Sequence, residues 1–180
     1  MKEKNWTVIE TLRHARHDWM NDIQLIKGFL ALNKIDEAAR AADHIIVKAV
    51  QESKLCNLGM PEMAEMFITF NWKKHKFVLE FEINDEIVIE KVDDQLVTRF
   101  FQSIFSLLDQ HISQYSGQHV YTEFFEKEGR LAVRIEWDGE LVDRSCLIEQ
   151  IQQLLQSGAG VMNGGIMKSD DQDILIEVKF

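Results

Sequence analysis

Arg13-His14-Ala15-Arg16-His17-Asp18-Trp19-Met20-Asn21 lies in the middle of an amphipathic pattern near the N-terminus. Leu12, Trp19, Ile23, Ile26 and Leu30 recur at three- and four-residue spacing, with Ile9 extending the row, which predicts a helix with one apolar seam. His17 is off that seam, on a polar row with Glu10, Arg13, His14, Asn21 and Gln24. Neutral imidazole is a good nucleophile near neutral pH, because its unperturbed pKa is about 6.5. A helix holds the ring and leaves one nitrogen free to attack. Asp18 can orient the ring or act on it electrostatically, and Asn21 sits one turn along the same face. A histidine followed by a carboxylate, with an amide one turn later, is the arrangement expected where an imidazole accepts a phosphoryl group. A solvated polar face is the competing reading of the same spacing.

Working outward, the first helix is expected over residues 6–32. Asn33-Lys34-Ile35-Asp36 breaks it, with Asp36 placed to cap a second helix. Residues 37–57 are periodic and rich in alanine (Ala38, Ala39, Ala42, Ile45, Ile46, Ala49, Val50), and Gly59 and Pro61 stop them. A short connection between long helices gives an antiparallel hairpin. Two helices alone cannot bury wide apolar stripes on both. The expectation is a homodimer in which two hairpins pair as a four-helix bundle with His17 outside. The competing arrangement packs the hairpin on its own C-terminal domain.

The remainder reads as α+β. Helices are expected at 63–72, 93–114 and 143–156, the second capped by Asp93-Asp94 with Val97, Phe100, Phe101, Ile104, Phe105, Leu108 and Ile112 facing inward. Strands are expected at 77–83, 119–126, 130–137 and 173–178, with a turn at Gly129. Domains are assigned to residues 1–59 and 60–180, the boundary falling near 58–62.

Composition bounds the function. The 180 residues suffice for one compact domain or a helical module plus a small second one, and 46% hydrophobic content supports a packed core. No apolar run approaches 20 residues and the first six carry no signal-peptide core, so no membrane partner is expected. Cys56 and Cys146 lack paired-motif spacing, which fits a reduced cytoplasm. A net charge of −10 argues against nucleic acid. Residues 1–30 carry a net +1 and the rest −11, so an acidic partner is steered to the histidine helix.

His17-Asp18-Trp19-Met20-Asn21, followed by Ile23-Gln24-Leu25-Ile26-Lys27-Gly28, resembles the phosphorylated helix of the sporulation initiation phosphotransferase B family. The same H-[DE]-x-x-N pattern resembles the phosphoacceptor box of citrate-sensor-type histidine kinases. Glu52-Ser53-Lys54-Leu55, Asn57-Leu58 and Phe67-Ile68-Thr69-Phe70-Asn71-Trp72-Lys73 are also similar to that phosphotransferase family. The resemblance implies a C-terminal α/β sandwich like a degenerate kinase ATPase domain. In the kinases the long helix ends in a box whose asparagine holds magnesium and phosphates; here Gln110 stands at that place. The expected D-x-G-x-G loop is reduced to Asp138-Gly139, and no lysine has Walker spacing. Gly158-Ala159-Gly160 and Gly164-Gly165 offer a flexible lid.

Other constellations are weaker. His14-x-x-His17 has metal-ligand spacing but needs a third ligand such as His44. His75, His111 and His119 are scattered, and Trp6, Trp19, Trp72 and Trp137 suit core or interface anchors. The expectation is a cytoplasmic phosphorelay phosphotransferase. His17 takes a phosphoryl group from one response-regulator receiver domain and gives it to a second, and by resemblance the relay starts sporulation. Arg13, His14, Arg16, Asp18, Asn21 and Gln24 are the expected partner-binding residues. No cofactor of its own is expected; the partner's acidic pocket supplies magnesium. The alternatives are an unusual ATP-dependent histidine kinase and a non-catalytic scaffold that sequesters a response regulator.

Overall fold

The computed structural model describes residues 7–84, 87, 92–113, 117–158, 162–169 and 173–180. By backbone contact the chain divides into two compact units, residues 1–52 and 53–180.

The first unit holds helix α1 (Val8–Ala31) and most of helix α2 (Ile35–Cys56). Thr7 caps α1 reciprocally: its hydroxyl accepts from Glu10 N at 3.2 Å, and its own N–H donates to Glu10 Oε2 at 3.0 Å. At the other end Asn33 takes a left-handed conformation with φ 57°. Lys34 N then reaches Phe29 O at 2.9 Å and Asn33 N reaches Leu30 O at 3.0 Å, closing the helix with a Schellman motif. Only three residues separate the helices, so α2 turns back along α1. The break is one residue shorter than expected, and Asp36 lies inside the first turn of α2 rather than capping it.

The second unit takes in the last turn of α2, because Leu55 is fully buried in its core and Lys54 Nζ donates to Ile83 O. It continues with α3 (Pro61–Phe70), β1 (Phe77–Ile83), α4 (Asp94–His111), β2 (Gln118–Lys127), β3 (Arg130–Asp138), α5 (Arg144–Ser157), β4 (Asn163–Ser169) and β5 (Asp173–Lys179). The sheet order is β1-β2-β3-β5-β4. The β1–β2 pair is parallel, bridged by α4, and the other neighbours are antiparallel. One face carries Leu79, Val120, Phe124, Val133, Ile135, Ile176 and Val178 into a core shared with Phe67, Phe101, Phe105, Leu147 and Ile151 of the three helices. The other face is polar; there Arg134 joins Glu123 at 2.6 Å and Glu177 at 3.3 Å across three strands. The fold is α+β, as expected.

Local chemistry explains several joints. Glu128 and Gly129 both have positive φ and make the two-residue β2–β3 turn. Asp93 caps α4, accepting from Gln95 N and Leu96 N. Asp94, expected to share that task, instead accepts from Glu62 N at 2.8 Å and Met63 N at 3.0 Å, capping α3, whose own N-cap Met60 has no acceptor. Asn71 lies along the outer edge of β1, its amide donating to Leu79 O at 2.8 Å and accepting from Leu79 N at 3.0 Å. Helix α4 ends at His111, short of Gln114, which lies outside the described residues. Strand β4 was not expected: Gly164 and Gly165 pair with β5 instead of forming a lid. A Cβ at Gly164 would stand 2.6 Å from Glu177 O, so glycine there permits close backbone approach. Ala159, Gly160 and Trp6 lie outside the described residues.

Candidate functional site

Of the expected apolar seam of α1, only Ile26 is half-buried; the rest is exposed. No residue of α1 is buried, and Trp19 and Ile23 are 62% and 57% exposed. The half-buried residues of α1 are Glu10, Thr11, His14, Ala15, Asp18, Asp22, Ile26 and Phe29. Thr11, Ala15, Asp18, Asp22, Ile26 and Phe29 repeat at three- and four-residue intervals and form the row facing α2. On α2 the corresponding shielded residues are Ala38, Ala41, Ala42, Ile45 and Glu52. The hairpin therefore closes on a narrow seam of small and polar side chains. Its most apolar row, Leu12, Trp19, Ile23 and Leu30, faces out.

His17 stands next to this seam and points away from it, its side chain 71% exposed. Nδ1 lies 3.4 Å from Asp18 Oδ1 and 3.3 Å from Asn21 Nδ2, as the i+1 and i+4 spacing suggested. A proton on Nδ1 donates to the Asp18 carboxylate; with the Asn21 amide flipped, its oxygen faces the same proton. In that tautomer the lone pair is on Nε2, which makes no hydrogen bond to the described residues. Arg13, Arg16, Asn21 and Gln24 are exposed around the ring. His14 differs from them: it is half-buried on the side turned toward α2. Glu52 lies among charges on the seam. Burial raises its pKa above the ordinary glutamate value, Lys48 opposes the rise, and Asp18 and Asp22 add to it.

Gln110 and Asp138-Gly139 are the places expected to have lost the kinase motifs. Gln110 is exposed and its amide donates to Ser106 Oγ. Beyond α4, Ser113 N donates to Glu140 O at 3.0 Å and Val142 N to His111 O at 2.7 Å. These bonds tie the turn after β3 directly to the end of α4. Gly139 there leaves room for the Gln118 side chain, whose Oε1 would lie 2.5 Å from an added Cβ.

Sequence reading missed a polar pair that only the fold brings together. His75 Nδ1 meets Asp109 Oδ2 at 2.5 Å, and the other Asp109 oxygen accepts from Lys76 N at 2.9 Å. The His75 ring stacks on Phe70 with centroids 3.8 Å apart. Burial raises the Asp109 pKa, but the bonds from His75 and Lys76 outweigh it and hold the carboxyl below the usual aspartate value. The partners are 34 residues apart, beyond any local spacing rule. Of the other histidines, His111 meets Gln150, His119 meets Glu80, and His44 is exposed. Among the described residues no group of three or more His, Cys, Asp or Glu is placed to hold a metal. No described helix is long and apolar enough to cross a membrane.

Residues 1–58 match the family model described as the Sensor_kinase_SpoOB-type alpha-helical domain. Residues 59–180 match the one described as Sporulation initiation phospho-transferase B, C-terminal. The chain belongs to the sporulation initiation phosphotransferase B family. It is 38% identical over 141 residues to the Sporulation initiation phosphotransferase B of Bacillus subtilis (strain 168), covering 77% of this chain and 73% of that relative. Among solved structures, the catalytic domain of the histidine kinase ThkA is similar with a TM-score of 0.47 and 10% identity over 66% of this chain and 90% of that one. The blue-light activated histidine kinase of Erythrobacter litoralis EL346 gives 0.44 and 12%, over 99% and 61%.

Proposed function

We propose that this member of the sporulation initiation phosphotransferase B family is a phosphorelay phosphotransferase acting through His17. The observation that carries the reading is the exposed ring with Nδ1 engaged by Asp18 and Nε2 unengaged. A phosphorylated receiver domain presents its aspartyl phosphate to Nε2. The Nε2 lone pair forms the N–P bond as the P–O bond to the receiver's carboxylate breaks, and Nδ1 keeps its proton against Asp18. The reverse steps deliver the group to a second receiver. Such transfer depends on positioning and charge stabilisation. Arg13 and Arg16 supply positive charge beside the transferred group, and His14, Asn21 and Gln24 complete the docking row. Magnesium comes with the receiver; the chain brings no cofactor. The name of the Bacillus relative supports placing the relay in sporulation; the cytoplasm is the compartment this reading assigns.

The same reading assigns residues 1–59 to dimerisation and transfer and 60–180 to an ATPase-like domain without ATP chemistry. Of sixteen large apolar side chains exposed among the described residues, thirteen lie between Val8 and Val50. So many exposed apolar side chains on one hairpin call for a cover, and a second hairpin supplies the matching rows of a four-helix bundle. The direct bonding between the end of α4 and the turn after β3 disfavours the kinase alternative. The test is to incubate the chain with a phosphorylated receiver. Acid-labile, base-stable label on His17 is expected. Receiver binding without label would favour the sequestering scaffold, and labelling from ATP alone the kinase.

A further inference from the structure

Glycine is the poorest residue after proline for a helix interior, because it costs the most backbone freedom and leaves the chain open to water. Gly28 nevertheless stands inside α1, and the helix runs through it unbroken, with Leu32 N donating to Gly28 O at 3.2 Å. Its φ is not positive, so the backbone does not require a glycine. A Cβ built on it meets no atom of the described residues within 4 Å, so packing inside the chain does not require one either. What sets Gly28 apart is the face it occupies. At 100° per residue, His17, Asn21, Gln24 and Gly28 fall within about 60° of one another, and all four are exposed. The row toward α2 lies roughly 130° from them one way round the helix, and the apolar row Leu12, Trp19, Ile23 and Leu30 roughly 150° the other way. Met20 and Leu25, exposed apolar side chains that belong to neither row, stand to the two sides of the His17 face. Departures from local propensity gather where a site needs them, and this one shares its face with the His17 ring.

We propose that Gly28 is a docking determinant for the receiver domain, its missing side chain letting the receiver's surface come against the backbone of α1. The inference rests on His17 being the acceptor, since that is what brings a receiver to this face. Eleven residues of helix place Gly28 about 16 Å along the axis from His17. A contact at the ring alone leaves the receiver free to pivot, whereas in-line attack needs the reacting atoms aligned. A second point of close approach three turns away fixes that angle. Met20 beside His17 and Leu25 beside Gly28 supply apolar contact at the edges of the strip. A second copy of the chain is the rival occupant, but the apolar row that a second hairpin would cover is on the far side of α1.

The test compares the full-length parent with Gly28→Ala and Gly28→Gln, both better helix formers. Each is labelled by two donors: a phosphorylated receiver domain that labels the parent, and phosphoramidate, which is too small to touch Gly28 and His17 together. Both variants should melt about 2–4 °C above the parent. Phosphoramidate should label His17 in all three at one rate. The receiver concentration giving half-maximal transfer should rise about threefold in Gly28→Ala and roughly tenfold or more in Gly28→Gln, as the added side chain holds the receiver off. A stabler chain that serves its receiver worse is a result that a merely structural glycine would not give. An unchanged half-maximal concentration in Gly28→Gln would overturn the proposal and leave His17 as acceptor. So would lower melting, a changed oligomeric state by light scattering, or an equal loss with phosphoramidate, each of which puts Gly28 to work inside the protein. Absence of label on His17 in the parent with both donors would overturn the acceptor reading as well.

Discussion

Replacing His17 by alanine separates chemistry from folding. The ring is 71% exposed and its two polar contacts are long, at 3.3 and 3.4 Å, and open to water. Contacts of that kind contribute a few tenths of a kcal/mol at most. Alanine is the better helix former by roughly 0.5 kcal/mol, which offsets them. No core packing is lost, whereas truncating a large buried side chain costs about 2–5 kcal/mol. The net change should lie within about 0.5 kcal/mol of zero, a melting shift of about 1–2 °C for a chain of this size. Calorimetry measures that shift, and incubation with a phosphorylated receiver measures acceptance. The expected result is complete loss of acceptance at unchanged stability. His14→Ala, at a half-buried position, should keep acceptance and lose more stability. Label on any other histidine, or a loss above about 2 kcal/mol in His17→Ala, would refute the reasoning.

Ile23→Glu places a charge on the exposed apolar row of α1; light scattering at micromolar concentration should show dimers for the parent and monomers for the variant, because a buried unpaired charge costs several kcal/mol. Radioactive ATP with magnesium should leave the isolated chain unlabelled, and calorimetry should show no binding in the micromolar range, about 8 kcal/mol. Asp109 is held below its ordinary pKa, so its contribution to stability is present above the unfolded-state value of about 3.9 and is lost as pH falls through the lower folded value. Asp109→Asn should therefore flatten the acid limb of the melting-temperature profile and lower stability at neutral pH.

The sequence signalled element types well where one face is apolar at a regular period, as in α4 with Phe101, Ile104 and Leu108. It could not tell which face of α1 turns inward. The most apolar row, Leu12 to Leu30, is the natural choice for a core, but the half-buried row is Thr11, Ala15 and Asp18 instead. His17, Asp18 and Asn21 were legible because helical spacing alone brings them together. His75 and Asp109 were not, since only the fold joins the start of β1 to the end of α4. Strand β4 was hidden because Gly164-Gly165 reads as a loop; its partner's backbone, not its own propensity, makes it a strand. Asp94 looked like half of one cap, and only the arrival of α3 beside it shows that it serves another helix.

The Asn71 amide beside Leu79 has a consequence for association. An open strand edge invites a foreign chain to add to it, and sheets left unguarded grow into aggregates. Asn71 occupies the bonding groups of Leu79 at the middle of β1, so an incoming strand would find its register interrupted there. At the opposite edge β4 carries an irregularity between Ile166 and Lys168, which likewise spoils a straight ladder. With both rims of the described sheet guarded in this way, the addition of a foreign strand is disfavoured at either edge.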